Sequence, residues 1–203
     1  PISTETVVAG YQSMVAEDPS RPVYLNLGQG VAWDGWYGRG VRTNHPEDYA
    51  DYIRGADIIS YDIYPVNTRD AAVKDRLWLV AYGVDRLRQW SGYKKPVWNW
   101  IECTDFNGAG RKPSASEVRA EVWMSIIHGS MGIGYFVHIF SPTFIEAGLL
   151  SDARMSSAVA AINSQIRSLA PVLNTPSVAN GVTVTGSNAD VPVDVMLKRY
   201  NGE

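Results

Sequence analysis

The sequence predicts an α/β fold of four parallel βα units followed by a short antiparallel β segment, and three observations carry that reading. Four apolar runs of strand length each lead into a polar, aromatic-rich loop and then an amphipathic stretch of helix length, the order expected of parallel strands joined by helical crossovers. The runs are RPVYLNLG (21–28), ADIISYDIYPV (56–66), KPVWNWIEC (95–103) and GIGYFVHIF (132–140). Each is almost continuously apolar, as strands covered on both faces are. After Pro171 apolar and polar residues alternate, with turn signals at Asn180-Gly181 and around Gly186 to Asp190, which predicts an antiparallel hairpin. The chain accordingly divides into a βα body, 1–172, and the beginning of a β domain or hairpin, 173–203.

Taken in order, a helix over about 3–17 precedes the first strand and ends at EDPSRP. A short helix over about 46–54 (PEDYADYIR) and a long one over about 69–91 flank the second strand. The third strand leads into a helix over about 114–129, where Ser114 and Glu117 form a capping box after Pro113 and Gly129 marks the end. A last helix covers about 152–169. Four such units fit either an open doubly wound sheet or half of a TIM (β/α)8 barrel. No Gly-x-Gly-x-x-Gly follows the first strand, and LGQGVAWDGWYGRG is too rich in Trp and Tyr to cradle a phosphate. Aromatic and carboxylate residues gather instead at the C-terminal ends of all four strands, where a barrel builds its site. Half a barrel is therefore expected.

Composition removes several functions. The 203 residues are 45% hydrophobic and 19% charged, with a net charge of -3, and the Lys and Arg are dispersed rather than striped. Nucleic acid is not an expected partner. A lone Cys103 excludes an internal disulfide or a cysteine-rich zinc site, and His45, His128 and His138 show no metal-binding spacing. No metal and no cofactor are expected. No apolar stretch approaches the ~18 residues that span a membrane. The chain begins at Pro1 on the approach to a helix and stops at MLKRYNGE as a strand-like segment finishes, so it reads as a piece of a longer gene product.

The order of DPSRPVYLNLG, ADIISYDIYPV, KPVWNWIECTDF and SEVRAEVWMSIIHGSMGIGYFVH resembles the C-terminal half of (β/α)8 glycoside hydrolases of the large retaining superfamily. The resemblance covers roughly residues 3–200 and implies strands five to eight, followed by the start of an accessory β domain. It implies a nucleophilic carboxylate at the end of strand seven, matched by Glu102, and an acid/base carboxyl at strand four, which would lie upstream of Pro1. Oligosaccharide or polysaccharide is the implied substrate, and the 203 residues alone are expected to show little or no activity.

Period-two alternation puts Trp98, Trp100 and Glu102 on one strand face and Val97, Asn99 and Ile101 on the other. Glu102 is a candidate nucleophile of a double-displacement reaction, the alternative being a strand-end carboxylate that is ion-paired or solvated. Asp62, in SYDIYP, is a supporting carboxylate for sugar hydroxyls, for Glu102, or as partner acid; a turn-initiating Asp before Pro65 is the alternative. His138 either hydrogen-bonds a sugar or a carboxylate, or is a buried, satisfied histidine.

Trp33 and Trp36, with Tyr37 beside them, follow the first strand, and Tyr61, Tyr64, Trp98 and Trp100 cluster at two other strand ends. Aromatic faces complement the C–H faces of sugar rings, so the cluster is read as a saccharide cleft, with Asn26 and Gln29 as further hydroxyl contacts. For any one of these rings, core packing is an equal reading. Trp78, Trp90 and Trp123 fall on helices and are expected to pack there. Four strands leave two unpaired edges and an open apolar interior. The expected partner is a second copy of the chain or a complementary N-terminal half-barrel.

Overall fold

A computed structural model describes residues 2–108, 110–188 and 191–202. Four strands form one parallel sheet in the order β1 (Tyr24–Asn26), β2 (Ile58–Asp62), β3 (Val97–Glu102) and β4 (Gly132–Phe136). The helices are α1 (Thr4–Glu17), α2 (Tyr49–Tyr52), α3 (Leu79–Trp90), α4 (Ala115–Ile127) and α5 (Ala153–Leu173). The α/β class and the parallel strands agree with the sequence.

Local chemistry sets the helix boundaries. Ser3 caps α1 by accepting the Thr6 amide, and Asp152 caps α5 by accepting the amides of Arg154 and Met155. The capping box of Ser114 and Glu117 is present at α4, and Gly129 follows that helix with φ 99°, a left-handed geometry that favours glycine. Two boundaries differ from expectation. The helix expected from about residue 69 begins only at Leu79, because the Asp70 carboxylate accepts the Ala72 amide and the Asp75 amide donates to the Pro65 carbonyl. Those bonds hold 70–75 as a turn against the loop after β2. The last helix runs through Pro171 to Leu173, since a proline this close to the end removes only one late hydrogen bond.

One face of the sheet is covered. Ile59, Tyr61 and Val97 pack with Val80, Val84 and Leu87 of α3, and Ile101 packs with Val118, Val122 and Ile126 of α4, which α5 backs with Met155, Val159 and Ile162. The other face is open: Tyr24 is 37% exposed and Trp98 36%. Strands covered on both faces were expected from the continuous apolar runs; the structure corrects this, because the second set of apolar side chains lines an uncovered surface.

The hairpin expected over 173–203 is reduced to one antiparallel bridge, Ser177 with Lys198, supported by the Val178 amide donating to the Leu197 carbonyl. No strand forms there among the described residues. Its expected second turn falls partly on Ala189 and Asp190, which lie outside the described residues. Among the described residues, no helix is long and apolar enough to cross a membrane.

Candidate functional site

The open face carries an aromatic platform built by two strands together. In the register of β3 and β4, Trp98 lies beside Gly132 and Trp100 beside Gly134. A Cβ at Gly132 would overlap the Trp98 ring, and one at Gly134 would come 2.5 Å from the Trp100 ring. The glycines therefore leave the room in which the indoles lie over β4. Tyr24 of β1 meets Trp98 edge-on at 5.7 Å between ring centroids and accepts a hydrogen bond from the Trp100 indole nitrogen.

At the C-terminal ends of the strands, this face opens into a cavity of about 490 Å³ lined by Asn26, Asp62, Tyr64, Trp100, Phe136 and His138, among others. Asn26 is fixed by two bonds: its Nδ2 donates to Asp62 at 2.8 Å, and its Oδ1 accepts from Ser60 at 3.0 Å. The Tyr64 hydroxyl lies against the same Asp62 carboxylate, and both neighbours favour its charged form. Burial outweighs them and holds the Asp62 carboxyl above the usual carboxylate range. Burial and the Asp62 charge likewise push the Tyr64 phenol up, so it stays a donor. His138 is oriented by the Glu146 carbonyl, 2.6 Å from its Nδ1, and Phe136 packs between Tyr64 and His138.

The structure thus brings together Asn26, Asp62, Tyr64, Trp100 and His138, with Trp98 next along the platform. It separates the others. Tyr61 points to the covered face, where its hydroxyl donates to the Val80 carbonyl and accepts from Asn99 at 3.1 Å. Gln29, Trp33 and Trp36 belong to the loop after β1 and do not line this cavity; Trp33 and Trp36 pack on each other and on Tyr37. Of the tryptophans expected on helices, Trp90 stacks on Tyr49, whereas Trp78 lies just before the start of α3 and is exposed.

Glu102 departs from the alternation. Trp98 and Trp100 keep part of their surface open, but Glu102 is 0% exposed. One carboxylate oxygen accepts the Val66 amide at 2.6 Å and the other accepts the Asn67 amide at 2.7 Å. Asn67 carries the connection onward by donating to Asp105 at 3.0 Å, and Thr104 donates to the His138 carbonyl at 2.8 Å. The loops after β2, β3 and β4 are tied together through these bonds, with Glu102 at their root. A strand-end glutamate that is solvated or ion-paired is not what the structure contains; the carboxylate is enclosed and held by backbone amides.

Behind Glu102 stands a residue that sequence reasoning missed. Glu121 of α4 is also 0% exposed, and neither of its carboxyl oxygens meets a donor among the described residues. Its neighbour is the Glu102 carboxyl. Two buried carboxylates cannot both be charged here, so a proton resides between them. Burial pushes the Glu102 carboxyl up to about 7 even though the two amides it accepts favour its charge. Burial and then the Glu102 charge drive the Glu121 carboxyl, which accepts no amide, well above its ordinary value, so Glu121 is the one that holds the proton. The signal was present in the sequence: Glu121 shares a helix face with Val118, Val122 and Ser125, and a carboxyl on an apolar stripe needs a partner. Cys103 is a buried thiol pushed up to about 12 by that burial, and donates to the Phe136 carbonyl at 3.2 Å.

Comparison of the chain with protein-family models, curated proteins and solved structures finds no match. Among the described residues, no group of three or more His, Cys, Asp or Glu side chains is arranged to hold a metal ion.

Proposed function

We propose that the protein handles carbohydrate on the open face of its sheet, as the half of a glycoside hydrolase barrel that carries strands five to eight. The observation that carries this reading is the cleft of about 490 Å³ in which Trp100, Tyr64 and Phe136 stand beside the paired polar groups Asn26 and Asp62. An aromatic wall takes the C–H face of a pyranose, and a fixed carboxylate and amide take its hydroxyls. The half-barrel is supported by the uncovered sheet face and by β1 and β4, each paired on one side only.

Retaining hydrolysis requires two carboxyls about 5–5.5 Å apart. Asp62 is the carboxyl that opens on the cleft, and its raised proton affinity suits an acid/base group. Glu102 has the strand-end place of a nucleophile, but attack on an anomeric carbon demands that the Val66 and Asn67 amides release its oxygens. That enclosure favours a second reading, in which the cleft binds saccharide without cleaving it.

Titration with a panel of gluco-, galacto-, manno- and xylo-oligosaccharides, read by tryptophan fluorescence, tests the proposal. Saturable binding that weakens roughly tenfold in Trp100→Ala is expected, the loss of one stacked ring. No binding by any member of the panel sinks the carbohydrate reading. Aryl glycosides, assayed with the complementary N-terminal half-barrel present, then separate the two versions: turnover that Asp62→Asn abolishes supports hydrolysis, and binding with no turnover selects the second reading.

The open face also calls for a partner, a second copy of the chain or a complementary half-barrel. Light scattering during size-exclusion chromatography is expected to show self-association of the isolated chain. A monodisperse monomer at high concentration contradicts the need for such a partner.

A further inference from the structure

A second, larger cavity lies at the opposite end of the sheet from the cleft. It has a volume of about 640 Å³, within the range of small-molecule sites. Ile126, Ile133, Ile166, Leu173 and Met196 give it apolar walls, between the start of β4, the faces of α4 and α5, and the segment that pairs Ser177 with Lys198.

Arg88, Lys95, Arg167 and Lys198 also line it, and no described Asp or Glu does. None of the four makes an ion pair among the described residues. Three are held in place by neutral carbonyls instead. Arg88 donates to the His128 carbonyl at 2.6 Å, Lys95 to that of Ile53 at 2.7 Å, and Lys198 to that of Thr175 at 2.7 Å. Gly129 makes room for Arg88, since a Cβ there would come 2.6 Å from its Nη1. Asp57, whose charge is felt by Lys95, is engaged elsewhere, accepting from Tyr11 and from the Val23 amide, and Asp194 faces His128. Burial and the neighbouring Arg88 charge both hold the Lys198 ammonium below its ordinary value, which is the cost of gathering cations without a counter-charge.

We infer that this cavity binds a small amphipathic anion, an apolar body seated on the isoleucine, leucine and methionine walls with a carboxylate, sulfate or phosphate head among the four cations. The inference stands apart from the carbohydrate reading, because the two cavities share no residue.

Isothermal titration calorimetry with decanoate, decyl sulfate and decanol, each below its aggregation concentration, tests it. Both anions are expected to bind saturably at one site, and decanol roughly tenfold more weakly, the loss of a charged hydrogen bond. The Arg167 side chain is exposed and makes no hydrogen bond or ion pair among the described residues, so Arg167→Glu is expected to keep the fold and to weaken decanoate by about the same factor. Amide shifts induced by decanoate should centre on Ser130 and Gly132, and Trp78→Ala, at an exposed residue that lines neither cavity, should leave its affinity unchanged. Equal binding of decanol and decanoate, indifference to Arg167→Glu, shifts centred elsewhere, or no saturable binding would each overturn the inference.

Discussion

Replacing Glu102 with Gln is expected to lower the stability of the protein by about 2–4 kcal/mol, whatever it does to activity. The carboxylate supplies two acceptors to two buried amides, those of Val66 and Asn67. A carboxamide supplies one acceptor and turns an N–H toward the second amide, so one buried donor loses its partner. Urea unfolding of the wild type and the variant at the same pH measures the difference. A change under about 0.5 kcal/mol would show that the carboxylate does not hold the loop. The consequence for function is direct. Lost hydrolysis in Glu102→Gln identifies a nucleophile only if the variant still melts as a folded protein at the assay temperature.

The second large effect is in pH. Glu121 holds its proton more tightly in the folded protein than at its ordinary value of 4.5. Its contribution to stability is therefore fully present below about pH 4.5 and is lost as pH rises toward and through the folded-state value. Where the folded pair keeps one proton that the unfolded chain has released, stability falls by about 1.4 kcal/mol per pH unit. His128, whose proton affinity is raised chiefly by Asp85, loses stability in the same direction, as does Asp62. Those contributions are common to the wild type and to Glu121→Gln, so the difference between the two proteins isolates the pair. In Glu121→Gln the amide donates to Glu102 without a titrating proton. The two proteins are expected to be of similar stability near pH 5, with the variant the more stable by pH 8. Parallel stability curves between those values would mean that no proton is shared.

Much of the scaffold was legible because it rests on local rules. The strands at Ile58–Asp62 and Val97–Glu102, the capping box at Ser114 and the stop at Gly129 follow from apolar runs, a capping pattern and one left-handed residue. What escaped depends on contacts across the chain. The delayed start of α3 is set by an Asp75 amide that finds the Pro65 carbonyl, a bond that no helical periodicity records. At the site, Asn26, Asp62, Tyr64, Trp100 and His138 were recognisable from their place at strand ends, and the structure gathers them. Tyr61 was misplaced because alternation along β2 sends it to the covered side, opposite Asp62. Glu102 defeated alternation at the last residue of its strand, where the carboxyl follows the amides of a neighbouring loop.

The tryptophans and glycines of β3 and β4 also bear on how the chain finds its own pairing. Slipping β4 by two residues in one direction would set Trp100 beside Phe136, and slipping it by two in the other would set Trp98 beside Ser130. Only the observed alignment gives both indoles a neighbour without a side chain. Trp-x-Trp and Gly-x-Gly act as a key and its slot, so the same four residues that build the open aromatic platform select one alignment of these two strands during folding.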